Sequence, residues 1–465
     1  MVGMTYPLEP DREQMREMGR AAVDAVVGFV GQLDDAPADG VAPDDRLREA
    51  LMAAPDEGPS DFGVLLQLFG QAAAKAVETA GPGYLAYVPG GGLYASALAE
   101  FLARSVNRYT SLAAMAPELV AMEHGVLRWL CREFQLPGTA GGLITTGGSM
   151  ATLSAIVAAR HHKLGEDFAR GTLYVTAHTH HCVAKAARVA GFPAARIRVV
   201  PVTADLRMDT GAAARMIAED RVAGLRPFLL VANAGSTDTG TVDRIRDLGR
   251  LAADEDLWFH ADGAYGGFFQ LTRRGRAALS GIERADSIVL DPHKGMFLPY
   301  GTGVLLVRDT TPLRAAHSGA GSYLQDLDGD EALPDFSALG PELTREFRGL
   351  RVWLPLRLHG VAAFRDALDE KLDLAAYAYR ELAGDTRLEL PWQPDLSTVA
   401  FRLRYGGNNA SRRLLGQINA TSRVFASSTS IQDRVTLRLC ILSHRTHREH
   451  IDQALGIIRK AANEH

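Results

Sequence analysis

Short apolar runs alternate with helix-period segments through the middle of the chain. The runs 172–176, 197–202, 227–233, 256–261, 286–291 and 303–309 are rich in Val, Ile, Leu and Phe, and each reads as a buried strand. Between them, apolar residues recur at helical spacing over 149–160, 181–190, 211–220 and 243–254. This alternation predicts an α/β domain with a largely parallel sheet, because parallel neighbours need a crossover between them. Polar and glycine-rich groups just past the strand ends then mark where a ligand sits in such a sheet.

Ahead of this domain the pattern is helical. Met15, Met18, Ala22, Val23, Val26, Val27 and Val30 recur through 12–33, an amphipathic helix closed by the Asp/Pro/Gly-rich stretch 34–45. A second helical pattern covers 61–79, broken by Gly81, Pro82 and Gly83, and Pro89 with glycines 90–92 forms a further turn. The apolar stripe of this arm needs cover, from its own chain or from another subunit. Residues 311–340 are turn-rich and acidic, with Asp326, Asp328, Asp330 and Glu331. A long helix over about 347–379, bent near Gly360, then leads to strands at 396–404 and 434–442. The expected division is an arm over 1–100, a large α/β domain over 101–345 and a smaller C-terminal domain over 346–465.

Composition narrows the class. With 465 residues, 47% hydrophobic and 23% charged, the chain suits packed globular units and excludes a fibrous or largely disordered protein. A net charge of −5 gives no global attraction to nucleic acid or anionic membrane, so neither is expected as a partner. Three widely spaced cysteines, Cys131, Cys182 and Cys440, make neither a disulfide scaffold nor a zinc rhythm. The charged opening lacks a signal-peptide core and no long apolar run follows, so the expected location is the cytoplasm.

Four segments could carry chemistry. In 145–160, Gly147 and Gly148 precede Ser149 at a helix start, where unpaired N–H groups and the helix dipole favour an anion; plain capping is the alternative. Asp262 closes an apolar strand and is followed by small residues that let a flat ring approach. It is either a loop cap or a partly buried carboxylate facing a cation such as a pyridinium nitrogen. Lys294 stands in a turn between two strands. Only six of the 50 lysines and arginines are lysine, and an amine that forms an imine cannot be arginine, although a surface turn would also hold a lysine. His178, His180, His181 and Cys182 invite a metal, but no distant partner completes a site. One imidazole stacked on a planar cofactor, or a satisfied polar turn, are the other readings.

In order, these segments resemble the pyridoxal-phosphate-dependent group II amino-acid decarboxylases, which include aromatic-L-amino-acid, histidine, glutamate and tyrosine decarboxylases. The resemblance runs from about 12 to 460. It rests on Gly147-Gly148-Ser149, H-x-x-V-x-K-A at 180–186, A-x-x-G-S-T-x-x-G at 232–240, H-x-D-x-A at 260–264 and P-H-K at 292–294. It implies the type I PLP-enzyme, aspartate-aminotransferase-like fold, a homodimer with active sites near the interface, a mobile loop at about 318–340, and pyridoxal 5'-phosphate (PLP) as cofactor. By this resemblance Lys294 bonds the cofactor, His293 lies on its phosphate side, Asp262 faces the ring nitrogen, and His180 and Ala264 lie on opposite faces of the ring. Gly148 and Ser149 hold phosphate and Asn233 lies beside the cofactor. Tyr87, Val88 and Pro89 border the substrate pocket, and Arg438 matches a small-domain motif. The implied reaction is decarboxylation of an aromatic or neutral L-amino acid to an amine.

Two departures bear on that expectation. Gly295 replaces the aromatic residue that commonly follows the lysine, which would open space. An ungapped registration anchored on Arg348 and Leu350 puts Phe336 where many family members have the catalytic tyrosine that returns a proton to Cα. A phenyl ring cannot donate one, and relatives with that change couple decarboxylation to oxidative deamination, with oxygen as co-substrate and aldehyde, ammonia and hydrogen peroxide as products. A shifted loop would instead present Tyr323.

Overall fold

The computed structural model describes residues 8–319 and 332–464. Its central sheet has seven strands: β1 (Gly141–Thr145), β2 (Gly171–Thr176), β3 (Ile197–Val200), β4 (Arg226–Asn233), β5 (Trp258–Gly263), β6 (Ser287–Leu290) and β7 (Gly303–Val307). Their order is β1-β7-β6-β5-β4-β2-β3. The run from β3 to β6 is parallel, and β7 lies antiparallel to both β6 and β1. Every residue of β1, β2, β5, β6 and β7 is buried, as expected of a sheet covered on both faces.

All six expected strands form. β5 starts two residues later than its apolar run, because Leu257 still closes the preceding helix through its N–H to the Ala252 carbonyl. Asp262 therefore lies inside the sheet, in register with Asn233 of β4 and Val289 of β6. The pattern did not reveal β1. Two of its five residues are glycine, and at Gly142 the backbone of β7 at Leu305 leaves no room for a side chain.

A second, antiparallel sheet comprises β8 (Leu388–Glu389), β9 (Thr398–Leu403), β10 (Ser427–Ile431) and β11 (Arg434–Cys440), ordered β10-β11-β9-β8. The helix Gly349–Ala383 joins the two sheets and breaks direction at Gly360, whose φ of 74° only glycine adopts cheaply. Val352, Phe364, Leu368 and Leu372 on this helix belong to the large core, whereas Leu374, Ala375, Ala378 and Leu382 belong to the small one. The change of core thus falls within the helix, after the expected division at 345/346.

The N-terminal helix Arg12–Gly31 is capped by Asp11, yet none of its residues is buried. The helix Phe62–Ala73 stops short of the expected residue 79, since Val77 makes a bridge with Asp39, and it too buries nothing. Met15, Val27 and Phe69 of this arm are all more than half exposed.

Candidate active site

The ends of β1, β2, β4, β5 and β6 converge on a cavity of about 280 Å³, whose walls include Gly147, Gly148, Ser149, His180, Asn233, Asp262, Ala264, Asp291, His293 and Lys294. These come from five separate stretches of sequence, brought together by the strand order. The cavity lies beyond the carboxyl ends of parallel strands, where such sheets bind ligands.

The anion end is built from β1 and the helix Gly148–Leu164. Gly147 has φ 155°, and the Thr145 hydroxyl donates to its carbonyl at 3.0 Å, so the turn points the helix start at the cavity. A Cβ on Gly148 would stand 3.1–3.2 Å from the Asp291 carboxylate oxygens and 3.4 Å from Ala264 Cβ, so only glycine fits without displacement. Ser149 is exposed on the first turn and makes no capping bond. Early helix N–H groups lack intrahelical partners, which suits a bound anion.

Lys294 lies on the single turn Pro292–Gly295, and its Nζ is 2.9 Å from Asp291 Oδ2. Burial pushes this amine down, but Asp291 outweighs burial and holds it above the usual lysine range. His293 Nδ1 is 2.6 Å from the Thr302 carbonyl, which only accepts, so Nδ1 carries a proton. Burial holds His293 below the ordinary imidazole range against the opposing Asp291. His180 caps the helix His181–Val189, its Nδ1 accepting the Cys182 N–H at 3.3 Å. Burial, with His181 and Lys294, pushes it down to about 4, so it is neutral near pH 7.

Asp262 is 8% exposed, and its Oδ1 accepts the Ala264 N–H at 3.2 Å. Asn233 lines the cavity, but its amide donates to Asp243 Oδ2 at 3.0 Å and Thr176 Oγ1 at 3.3 Å. Its donors therefore brace the end of β4 beside Asp262. The histidine cluster divides: His178 Nδ1 is 3.0 Å from Asp238 Oδ2, while His180 faces the cavity. Among the described residues no group of three or more His, Cys, Asp or Glu is arranged to hold a metal.

Several of the expected residues lie away from this cavity. Phe336 does not line the cavity. It lies in the short turn Phe336–Ala338, 1% exposed, with the Arg345 guanidinium 4.7 Å from its ring centroid. The registration named a residue that the apolar core has absorbed. Tyr87, Val88 and Pro89 do not line the cavity either. The Tyr87 ring is exposed while its carbonyl accepts from Arg438 at 2.7 Å, Val88 packs on the large core, and Gly90 is the residue of that stretch that abuts the His293 backbone. Nor does Gly295 open space, since a Cβ there would come within 2.6 Å of Phe268 Cβ. Tyr323 falls outside the described residues. Arg438 binds the Tyr87 and Thr237 carbonyls and Ser427 Oγ, clamping the arm, the 234–241 loop and β10 together.

Phe336→Tyr is accordingly expected to leave product identity unchanged and to lower stability by about 1–3 kcal/mol, as a hydroxyl enters a packed site. Thermal unfolding and product analysis check both. A shift of products away from aldehyde in the variant would restore Phe336 to the chemistry.

Sequence reasoning passed over Asp291, although a carboxylate at i,i+3 to the singled-out lysine was a readable signal. It also passed over Thr146, Thr152 and Ser236, whose placement on the cavity depends on the fold.

A reactive lysine, a carboxylate at a strand end and a glycine-headed helix around one cavity are the parts required of an enzyme that holds a phosphorylated pyridine aldehyde. The residues fit that group: Lys294 offers an amine, Asp262 a carboxylate at a strand end, and the Gly147–Gly148 helix start a cradle that a Cβ would crowd. The family model for the pyridoxal-dependent decarboxylase conserved domain matches residues 44–404. The chain is 34% identical to the aromatic-L-amino-acid decarboxylase of Bacillus atrophaeus, covering 99% of this chain and 98% of that one. It is 28% identical to the phenylacetaldehyde synthase of Arabidopsis thaliana, over 97% and 96% of the two chains. It also superposes on the crystal structure of Oryza sativa TDC with PLP and tryptamine with TM-score 0.93 and 27% identity, over 99% of each chain.

The chain belongs to the pyridoxal-dependent decarboxylase family, with the type I PLP fold. It is an amino-acid decarboxylase whose cofactor is PLP.

Proposed function

We propose that this enzyme decarboxylates an aromatic or neutral L-amino acid to the corresponding amine and carbon dioxide, in the cytosol and as a homodimer. The observation that carries the reading is the juxtaposition of Lys294, Asp262 and the Gly148 helix start at one cavity. PLP, when bound, supplies an electron sink for the pair left at Cα after carbon dioxide departs.

In this reading each side chain has one task. Lys294 supplies the amine that holds the cofactor. Asp262, fixed in the sheet between Asn233 and Val289, keeps a proton on the pyridine nitrogen. His180, neutral and apolar-faced, stacks on one side of the ring and Ala264 leaves the other side open to it. Gly148 and Ser149 hold the phosphate, with His293 beside them.

The substrate preference draws on the curated relative named for aromatic amino acids. It also draws on the commitment of the nearby cations, Lys294 to Asp291 and Arg438 to backbone carbonyls, which leaves neither for a substrate side-chain carboxylate. A turnover screen of the standard L-amino acids with added PLP is expected to favour Trp, Tyr or Phe; exclusive use of Glu or Asp would contradict it. Amine is the product proposed first; the second reading, an oxygen-consuming conversion to aldehyde, ammonia and hydrogen peroxide, is favoured by the likeness to the phenylacetaldehyde synthase of Arabidopsis thaliana.

The dimer is supported by the arm, whose helices Arg12–Gly31 and Phe62–Ala73 bury nothing within one chain. Apolar faces of that size require cover. Sedimentation is expected to give a dimer that Phe69→Glu weakens, and a monomer at micromolar concentration would contradict it. Among the described residues no helix is long and apolar enough to cross a membrane. Cys131, Cys182 and Cys440 are buried free thiols, in keeping with a reducing compartment.

A further inference from the structure

Asp291 follows β6, lines the cavity and is 2% exposed. Its Oδ2 pairs with Lys294 Nζ at 2.9 Å and lies 3.7 Å from His293 Nε2. Its Oδ1 has no hydrogen-bond partner. Both oxygens would stand within 3.2 Å of a Cβ on Gly148, so the carboxylate abuts the helix start assigned above to the cofactor's phosphate. An acceptor-only group beside an arriving anion is unfavourable unless a proton lies between them. His293 offers no such proton when neutral: its Nδ1 proton goes to the Thr302 carbonyl, leaving a lone pair on Nε2.

The charges sharpen the problem. Before cofactor arrives, Lys294 and Asp291 balance each other. A phosphate ester adds close to two negative charges above about pH 6, and nothing in the Lys294–Asp291 pair offsets them. We propose that cofactor capture draws a proton onto His293 Nε2, held between Asp291 and the phosphate, and that Asp291 is the positioning residue for that proton. This rests on the cofactor assignment to the Gly148 helix start.

Four neighbouring groups face His293 or the backbone behind it. Lys294 is held above the usual lysine range. Tyr300, edge-on at 5.7 Å, is pushed up by burial. His180, across the cavity, is pushed down to about 4. Arg351 reaches the Gly301 carbonyl and Thr302 Oγ1 behind the ring and remains charged. Burial holds free His293 below the ordinary imidazole range, and phosphate raises it. Binding is therefore strongest at low pH and weakens as pH rises from the free toward the bound value.

The test uses the full-length chain stripped of cofactor and pyridoxine 5'-phosphate, which carries ring and phosphate without the aldehyde and so leaves Lys294 unbonded. Equilibrium dialysis is expected to give a Kd that rises by up to about tenfold per pH unit between about pH 7 and 8.5. Calorimetry in buffers of different ionisation enthalpy should return uptake approaching one proton. His293→Gln supplies a donor that does not titrate, and Asp291→Asn removes the charge that holds the proton; both should bind with a flattened slope. A merely structural role would weaken binding equally at every pH. A flat wild-type profile, or the wild-type slope retained in both variants, overturns the proposal while leaving the cofactor site intact. Absence of binding at any pH removes the site assignment and the proposal together.

Discussion

Lys294→Ala is expected to abolish covalent retention of PLP and to lower decarboxylation by on the order of 10³-fold or more. The size follows from what the amine contributes. It is 2.9 Å from Asp291 at the floor of the cavity, oriented by a one-turn helix that Pro292 starts, and none of the other five lysines lines the cavity. Arginine cannot substitute, because guanidinium stays protonated and offers no free primary amine. PLP added in excess should still occupy the phosphate cradle of the variant, so binding and chemistry separate. Borohydride reduction of the wild type followed by peptide mass analysis locates the bond. An adduct on Lys75 or Lys185 instead of Lys294 would contradict the assignment.

Asp262→Asn is expected to lower turnover by on the order of 10²-fold with cofactor occupancy nearly unchanged. An opposite charge within about 4–6 Å moves a partner's pKa by about 1–3 units, and the ring nitrogen would lose that support in the variant. The amide keeps the volume and can still accept the Ala264 N–H, so β5 should hold its register against Asn233 and Val289. The effect should appear in the chemical step under saturating PLP, measured by rapid release of carbon dioxide. Wild-type rates in the variant would reduce Asp262 to a cap.

These two residues were legible in the sequence for a physical reason. Each combines a rare or costly side chain with a strand end: a lysine in an arginine-rich chain, and a carboxylate at the foot of an apolar run. The large sheet was legible through its buried parallel strands, whose continuous apolar runs survive without knowledge of tertiary contacts. β1 was not, because glycines forced by close backbone approach erase the pattern. The place of Phe336 away from the cavity was not legible, because registration across a turn-rich stretch depends on loop length, which local sequence does not encode. The exposure of Tyr87, whose φ is 49°, is likewise a feature that no periodicity reports. Asp291 was passed over although it stands three residues before Lys294; its closeness to Gly148, far away in the chain, emerges only in the fold.

The central claim, that this chain removes the carboxylate of an aromatic or neutral amino acid and returns a proton to Cα, is tested most directly by one stoichiometry. Wild-type enzyme with saturating PLP and its preferred L-amino acid is followed in air for carbon dioxide, amine, aldehyde and dissolved oxygen together. The expected result is one amine per carbon dioxide with no oxygen uptake. Aldehyde with equimolar oxygen consumption would contradict the assigned product, and amino-acid consumption without carbon dioxide would contradict decarboxylation itself.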